Sequence, residues 1–527
     1  MTVKAILLSI TILISMFFVD LERIQFLTIM TVVAFILAYV KVPPILVLLL
    51  VTLSWSILYK NSVINEANTL FNNTTSQHKQ PQVEAAQDNI ITAEVITLVN
   101  KKNLLSFDVK VIEINNTALS FIQPKLALKW RNPEYYYPGE LGIGQVWRFK
   151  VRLIKPKIQT DDNAFLSFKS RLSSRHIQYI GLIEKGEVIR PQLNLRGDLY
   201  QMFKSVLPTN ANPMLYALTF GDRSYINNAL WTQFKLLGIG HLVAISGLHI
   251  GLIFGFCYLC SRRLLRLFWP PYNLVISLSI SLVAAIFYAW IAGFSLPALR
   301  AIVLLCLHCL YRIQYYKVTL FQLFATMLLV TLLLDPLTAF SISFWLSFSA
   351  MAAVFMLVWI YQKETKIRDE SPIKQALKNG YRKLTTVCCN QMLLTLLLLP
   401  IQVAVFSGFS WLSAVVNLIF IPVFSVLILP ALLFAVILLP VMPMISRVFM
   451  STVNTFLNII QEIWVKLTSN DVIWIDVGAE LNTVFYNCLL LIFILLMAGL
   501  LFKPLQVTFH SLSLLLLPLV CYSYILS

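Results

Sequence analysis

Long apolar runs occupy two parts of this chain, and a polar segment with a different pattern separates them. Three runs open the chain, near 5–19, 25–40 and 43–59. Further runs follow at 241–260, 273–292, 297–312, 318–334, 341–361, 386–407, 410–427, 428–440, 483–501 and 505–525. Most approach the ~20 residues that an α-helix needs to cross a bilayer. The pattern predicts a polytopic α-helical membrane protein with about 13 transmembrane helices.

The segment between the two apolar parts changes period. Residues 60–89 are rich in Asn, Gln, Thr and Glu, which predicts a flexible linker. From 90 to 190 the apolar residues alternate with polar ones, most clearly in 146–153, and Gly139, Gly142 and Gly144 supply turns. Several short strands within ~100 residues indicate an all-β, OB-like barrel.

Basic residues line one side of the clearest strand. Trp147, Phe149 and Val151 share one face, and the opposite face carries arginine and lysine. The candidates for binding DNA are Arg148, Lys150, Arg152, Lys155, Lys157, Arg171 and Arg175. OB-folds bind single strands on a basic, aromatic surface. A solvated strand face explains the same pattern equally well, so both interpretations stay open.

Composition and charge limit the possible functions. The chain has 527 residues, of which 58% are hydrophobic and 12% charged, with a net charge of +17. Much of that charge is expected in cytoplasmic loops, so it does not by itself indicate nucleic acid. The eight cysteines lie in or beside apolar runs, which argues against a disulfide framework. We find no motif for a metal, a cofactor or nucleotide hydrolysis, and expect no enzyme.

Loop charge predicts the domain order and orientation. We divide the chain into N-terminal transmembrane helices (1–59), an extracytoplasmic OB-like domain (60–190), an amphipathic helical connector (191–240) and a transmembrane channel domain (241–527). Basic loops after the spans, including Arg262, Arg263 and Arg266, predict that side to be cytoplasmic. The amino terminus is then cytoplasmic and the β domain lies outside.

The stretch Gly238–Gly251 is unusual for a membrane helix. It holds His241, Ser246 and His249, and polar side chains in hydrocarbon need a partner or water. Glycines at 238, 240, 247 and 251 allow close approach of a backbone or ligand. Three interpretations remain: a small-residue packing seam, a pore lining, or an intramembrane hydrolase or lipid-handling transporter using Ser246 and His249, although no carboxylate lies nearby in sequence to orient the base.

Charged residues near span ends add to the pore candidates. Arg300 and Asp335 fall at the same predicted end of their spans as His241. An arginine at such a position suits a phosphate-bearing guest. An Arg300–Asp335 salt bridge with a structural role is the alternative. In the connector, Asp222 and Arg223 are expected to cap the following helix.

Several motifs resemble the ComEC-like competence family. The stretch containing His241, Ser246, Gly247, His249 and Gly251 resembles its T-G-x-x-H-L-x-A-x-S-G-L-H-x-G signature. Residues 218–224 resemble L-x-x-G-D-R-S, and 293–301 resemble T-G-F-S-x-x-x-x-R-A. Residues 334–336 and 343–348, which include Trp345, resemble its L-D-P and G-F-W-L-S-F pair, and residues 417–425 its N-L-x-x-x-P-x-x-S span.

The resemblance implies a function and partners. It implies a channel in the bacterial inner membrane that passes single-stranded DNA into the cytoplasm during natural transformation. The partners it implies are single-stranded DNA, membrane lipid, a periplasmic DNA receptor, a cytoplasmic helicase-type motor and a possible separate nuclease. Family members usually end in a metallo-β-lactamase-like domain with a His-rich cluster. Past His308 this chain has only His510, so we expect that domain to be absent from it.

Overall fold

A computed structural model describes part of the chain. The described residues are 88–101, 104–115, 117–118, 123–131, 141–154, 168–243, 245–268, 272–362, 408–468 and 473–476, with short pieces between 5 and 60 and between 388 and 403. The predicted spans at 25–40, 483–501 and 505–525 lie outside the described residues. Lys155, Lys157 and nearly all of the predicted linker lie outside them as well.

The polar segment folds into a closed five-stranded barrel. Its strands are β1 (Asp88–Val95), β3 (Leu105–Ile114), β5 (Lys125–Trp130), β6 (Val146–Ile154) and β7 (Ile177–Arg190), with short strands β2 (Asn100–Lys101) and β4 (Thr117–Ala118) beside β3. The pairing runs β1–β3–β5–β7–β6 and returns to β1, and only β5 and β7 are parallel. This closed order is compatible with the predicted OB-like domain.

The barrel core follows from the alternation seen in the sequence. Inward positions of β6 hold Trp147, Phe149 and Val151, all fully buried, and Trp130 of β5 meets both aromatic rings edge-on. The Trp147 indole Nε1 donates to Gln145 Oε1 at 3.0 Å, so its polar group is satisfied. Gly144 adopts a φ of 93° and lies against the backbone of Asn194, which brings the start of β6 to the connector.

Five helices accompany the barrel and the connector: α1 (Phe168–Ser173), α2 (Leu195–Val206), α3 (Pro213–Phe220), α4 (Asn228–Leu237) and α5 (Gly240–Val243). Asparagine side chains cap α2, α3 and α4, because Asn194, Asn212 and Asn227 accept from the backbone of the first turn. The expectation that Asp222 and Arg223 cap α4 is therefore wrong. Asn227 lies directly before the helix, where a cap must lie, and Asp222 has other partners.

The apolar part forms long helices. They are α6 (Gly247–Phe268), α7 (Asn273–Ile291), α8 (Leu296–Ile313), α9 (Leu320–Leu334), α10 (Ile342–Gln362), α11 (Ser413–Pro422), α12 (Leu429–Leu438) and α13 (Pro443–Leu467). Among the described residues, four helices are long and apolar enough to cross a membrane: 247–266, 273–291, 296–313 and 413–438. These helices support a membrane protein, and the count of about 13 spans stays a prediction.

One predicted boundary between spans is wrong. Residues 410–427 and 428–440 were expected to form two spans, but α11, a π-helical segment (Val423–Ile428) and α12 form one continuous apolar helix. Pro422 lies inside it without ending it. A π-helical turn can absorb such a local irregularity while the helix continues.

The chain divides into two compact units. The first contains 1–226, 247–344 and 431–452, and the second contains 227–246, 345–430 and 453–527. In the second unit, the Trp464 ring of α13 contacts the rings of Phe234, Phe420 and Phe424. Strands β8 (Gly408–Ser410) and β9 (Trp474–Asp476) pair antiparallel in the same unit.

Candidate functional site

Arg196, on α2, joins two motif segments that lie far apart in sequence. Its Nε donates to the Ile291 carbonyl at 2.8 Å, and its Nη2 donates to the Phe220 carbonyl at 3.1 Å. The guanidinium also packs against Gly293, where an added Cβ would lie 2.6 Å from Nη2 and where φ is 76°. Glycine is needed here for both conformation and space. Arg196 thereby holds the end of α3 against the turn between α7 and α8.

Asp222 anchors the same junction from the connector side. Its carboxylate is buried, accepts a hydrogen bond from the Tyr200 hydroxyl, and accepts from the Ser224 backbone N–H at 2.9 Å. Burial, followed by the Asp222 charge, raises the pKa of Tyr200. Burial lowers the pKa of Arg196 to about 10, and Asp222 opposes that shift. The Tyr200 phenol and the Arg196 guanidinium therefore remain protonated at neutral pH.

A third contact fixes this junction to a membrane-spanning helix. The Tyr288 hydroxyl of α7 is fully enclosed and donates to the Leu218 carbonyl at 3.0 Å. Sequence reasoning missed Arg196, Tyr200 and Tyr288. The sequence contains a signal for Arg196 and Tyr200 only, because residues four apart lie on the same face of a helix. Arg223, the other connector candidate, is exposed.

The signature stretch is divided between a turn and a helix. Helix α6 begins at Gly247, so Ser246 lies directly before it, not on a shared helix face with His249. The His249 side chain is only 1% exposed. A hydrolase needs a serine and a base that a substrate can reach together. This arrangement gives the hydrolase interpretation no support.

The glycines of the signature differ in their surroundings. An added Cβ at Gly247 would lie 3.4 Å from Ala301 Cβ on α8, and one at Gly238 would lie 2.5 Å from Ser413 Cβ. At Gly240 and Gly251 an added Cβ would meet no described residue within 4 Å. Among the described residues, close contacts of the expected kind are therefore found at Gly238 and Gly247, and no neighbour packs against Gly240 or Gly251. The approach of a ligand at these two glycines stays a prediction.

His241 lies on the short helix α5 of the second unit. Its side chain has an exposed surface, yet enough protein surrounds the imidazole to lower its pKa by desolvation. A hydrogen bond to the backbone of Gly238 partly opposes this shift. A neutral histidine with an exposed surface is compatible with a pore lining. Trp345, in the first turn of α10, is partly buried.

Arg300 and Asp335 do not pair with each other. Arg300 Nη2 donates to the Ser343 carbonyl at 2.6 Å, whereas Asp335 Oδ1 lies 3.3 Å from His176 Nε2 and accepts from the Leu337 N–H at 3.1 Å. The structural salt bridge weighed for Arg300 and Asp335 is therefore wrong. The Asp335 carboxylate instead caps the turn Pro336–Phe340 and contacts the barrel through His176.

Arg300 is unusual because its guanidinium is buried and only partly hydrogen-bonded. The residue is 3% exposed, and its Nε and Nη1 atoms have no hydrogen-bond partner among the described residues. An unpaired buried donor costs roughly 1–3 kcal/mol, and more when the group is charged. Such a group requires a physical explanation.

The basic face of the barrel is less positive than its sequence indicates. Arg148, Lys150 and Arg152 point outward as predicted, but the Glu184 carboxylate of β7 lies 2.9 Å from Lys150 Nζ and 3.2 Å from Arg152 Nη2. Arg148 faces Glu187 in register. Exposed apolar residues lie at the end of β6 and on its neighbours β1 and β7: Ile154, Ile90, Leu182 and Ile189. The Phe and Trp rings of the described strands are in the core, whereas Tyr179 of β7 is partly exposed.

The other basic candidates have different surroundings. Arg175 forms an ion pair with the mostly buried Asp108 of β3, which gives it a structural role. Arg171 is exposed on α1. Among the described residues, no group of three His, Cys, Asp or Glu side chains could hold a metal ion.

Comparison with known proteins gives consistent similarities. The family model described as "Competence protein" matches residues 218–524. Recombination protein 2 of Haemophilus influenzae is 27% identical over 372 residues, which are 68% of this chain and 44% of that protein. ComE operon protein 3 of Bacillus subtilis is 26% identical over 307 residues, 58% of this chain and 37% of that protein. Competence protein ComA of Neisseria gonorrhoeae is 33% identical over 150 residues, 28% of this chain and 21% of that protein.

The similarity covers only part of each relative. The chain spans less than half of the length of the curated relatives it matches. No solved structure matches the chain at a comparable level of significance.

Proposed function

Since this chain belongs to the competence protein family, as the motifs predicted, we propose that it is an inner-membrane channel that passes single-stranded DNA into the cytoplasm. The observation that carries the proposal is the family match over residues 218–524, which contains every long apolar helix of the described chain. The names of the relatives refer to competence and recombination, processes that handle DNA.

Two structural features support this proposal. The barrel carries an outward basic strand, which suits the phosphate backbone of a nucleic acid. His176 of the barrel contacts Asp335 at the end of α9, and Arg196 joins α2 to the turn after α7. A strand bound at the barrel would therefore start its path beside the membrane helices. The Phe and Trp rings of the described barrel strands are buried, so we infer phosphate contacts and not base stacking on these rings.

The proposal includes an orientation and partners. The amino terminus and the basic loops are cytoplasmic, and the barrel faces the periplasm. In this proposal a periplasmic receptor delivers the strand and a cytoplasmic helicase-type motor pulls it. A separate nuclease is an additional proposed partner. His241, Gly251 and Trp345 remain candidates for the lining of the path.

Deleting the gene from a transformable host tests the proposal directly. We expect labelled DNA to reach the periplasm in the deletion strain but not the cytoplasm, because the step across the inner membrane is missing. Expression of the full chain from a plasmid should restore import. Normal cytoplasmic uptake in the deletion strain would contradict the proposed function.

Strand binding by the full chain in detergent is expected to weaken with salt. Replacing Arg148, Lys150 and Arg152 by glutamine should flatten the slope of log binding constant against log salt by about 2, since each phosphate contact to a single strand contributes ~0.7. The matched control replaces Lys110, Lys125 and Lys129 of β3 and β5 by glutamine. Equal slopes for the two triple variants would show that the β6 face does not bind the strand.

The orientation is testable by cysteine labelling. A cysteine introduced at residue 100 should react with a membrane-impermeant maleimide in intact spheroplasts. A cysteine at residue 375 should react only after permeabilisation, because its loop carries the excess of basic residues that stays in the cytoplasm. The cysteines already present are replaced by serine or alanine beforehand. The opposite labelling pattern would invert the proposed direction of transport.

A further inference from the structure

The guanidinium of Arg300 lies where an anion is favoured. Its acceptor, the Ser343 carbonyl, belongs to the first turn of α10, so the cation lies at the amino-terminal end of a long helix. That end carries the positive pole of the helix dipole, which repels a cation and attracts an anion. Asp335 is the acidic residue nearest to Ser343 in the sequence. Its carboxylate contacts His176 and caps the turn Pro336–Phe340, so it does not pair with Arg300.

The hydrogen bonding of Arg300 is incomplete, and this also indicates a position where an anion is favoured. Two of its three guanidinium nitrogens, Nε and Nη1, are inaccessible to solvent and have no partner among the described residues. The third nitrogen holds the Ser343 carbonyl and lies 3.3 Å from the Ser343 hydroxyl, which in turn bonds Ser341. An anion that reached this position would accept hydrogen bonds from the two unpaired nitrogens and would offset the charge of the buried cation. The arrangement is therefore more stable with an anion than without one.

We propose that Arg300 is a phosphate-binding gate residue: it holds α8 to the start of α10 when no strand is present, and it binds a backbone phosphate when a strand enters. The inference rests on the proposed function and names the chemical group that this region recognises. Phosphate oxygens accept from the guanidinium in charge-assisted hydrogen bonds, which are stronger than the bond to a neutral carbonyl. The strand therefore supplies the free energy that separates Arg300 from Ser343.

Substitution of Arg300 should reduce import without reducing stability. Arg300→Met replaces the unpaired cation by an apolar side chain of similar length, so the purified full chain should melt at the wild-type temperature or above it. Import should fall by about ten-fold or more, the loss of at least one charge-assisted hydrogen bond to phosphate. Arg300→Lys keeps the charge and should import at an intermediate rate. Arg312→Met, on the exposed last turn of the same helix, should import like the wild type.

Opposite results would overturn the inference. A lower melting temperature for Arg300→Met with normal import per folded molecule would assign Arg300 a structural role only. Normal import by this variant, in a host whose deletion strain imports nothing, would overturn the gate and leave the proposed function standing. Normal import by the deletion strain itself would overturn the proposed function.

A binding experiment, read out as the melting temperature, distinguishes the DNA backbone from a lipid headgroup as the source of phosphate. An oligothymidylate should raise the melting temperature of the wild type more than that of Arg300→Met, and its uncharged methylphosphonate analogue should raise neither. Phosphatidylglycerol should act equally on both proteins. A phosphatidylglycerol effect that needs Arg300 would assign the group to lipid and overturn the inference.

Discussion

Asp222→Ala is expected to lower the free energy of unfolding by about 2–3 kcal/mol, the cost of removing a charged acceptor from buried donors. The Tyr200 hydroxyl would lose its carboxylate partner in a buried position, and the Ser224 N–H would lose its acceptor. Arg196 would keep its bonds to the Ile291 and Phe220 carbonyls but lose the negative charge that favours its protonated form. Thermal melting of the detergent-solubilised protein and its level in membranes measure the effect.

Two control variants sharpen this prediction. Arg223→Ala removes the neighbouring exposed residue and should leave the melting temperature unchanged. Tyr200→Phe removes only the hydroxyl and should cost less than Asp222→Ala. The double variant Tyr200→Phe with Asp222→Ala should cost less than the sum, because the two residues share one hydrogen bond. Equal stability of Asp222→Ala and Arg223→Ala would contradict the proposed anchor.

Gly247→Leu and Gly251→Leu are expected to fail in different ways, although they lie four residues apart on α6. At Gly247 the Cβ itself would already be in van der Waals contact with Ala301 and near the Pro297 carbonyl of α8. We expect the remaining leucine atoms to overpack against α8, at a cost of about 1–3 kcal/mol. At Gly251 the Cβ position has open space, so the protein should fold at its normal level. If the strand passes beside this helix, Gly251→Leu should still reduce import because it narrows the path.

Import divided by the amount of inserted protein separates these outcomes. Gly247→Leu should reduce the amount of protein, and Gly251→Leu should reduce import per molecule. Gly255→Leu, one further turn along at another glycine with open space around its Cβ, measures how far along the helix the effect extends. Normal import by both Gly251→Leu and Gly255→Leu would remove this face of α6 from the proposed path.

The sequence alone determined the elements of this protein, because their signals are local. Apolar runs of helical length marked α7 and α8 closely, whereas α6 begins and ends several residues later than its predicted run. Period-two alternation placed Trp147 and Phe149 inside a barrel. The caps Asn194, Asn212 and Asn227 are also local signals, although we did not predict them and expected Asp222 and Arg223 to cap α4. Family membership followed from motifs that are each contiguous in sequence.

Only the tertiary structure decided which distant residues meet. Glu184 lies beside Lys150 and Arg152 because β7 pairs with β6. The periodicity of the sequence does not indicate which strands pair. Arg196 reaches a turn almost 100 residues away, and Asp335 pairs with His176 of the barrel, where the sequence offered Arg300 as its partner. Hydrophobic patterning fixes which face of an element is buried, but partner choice between polar groups depends on how the elements pack.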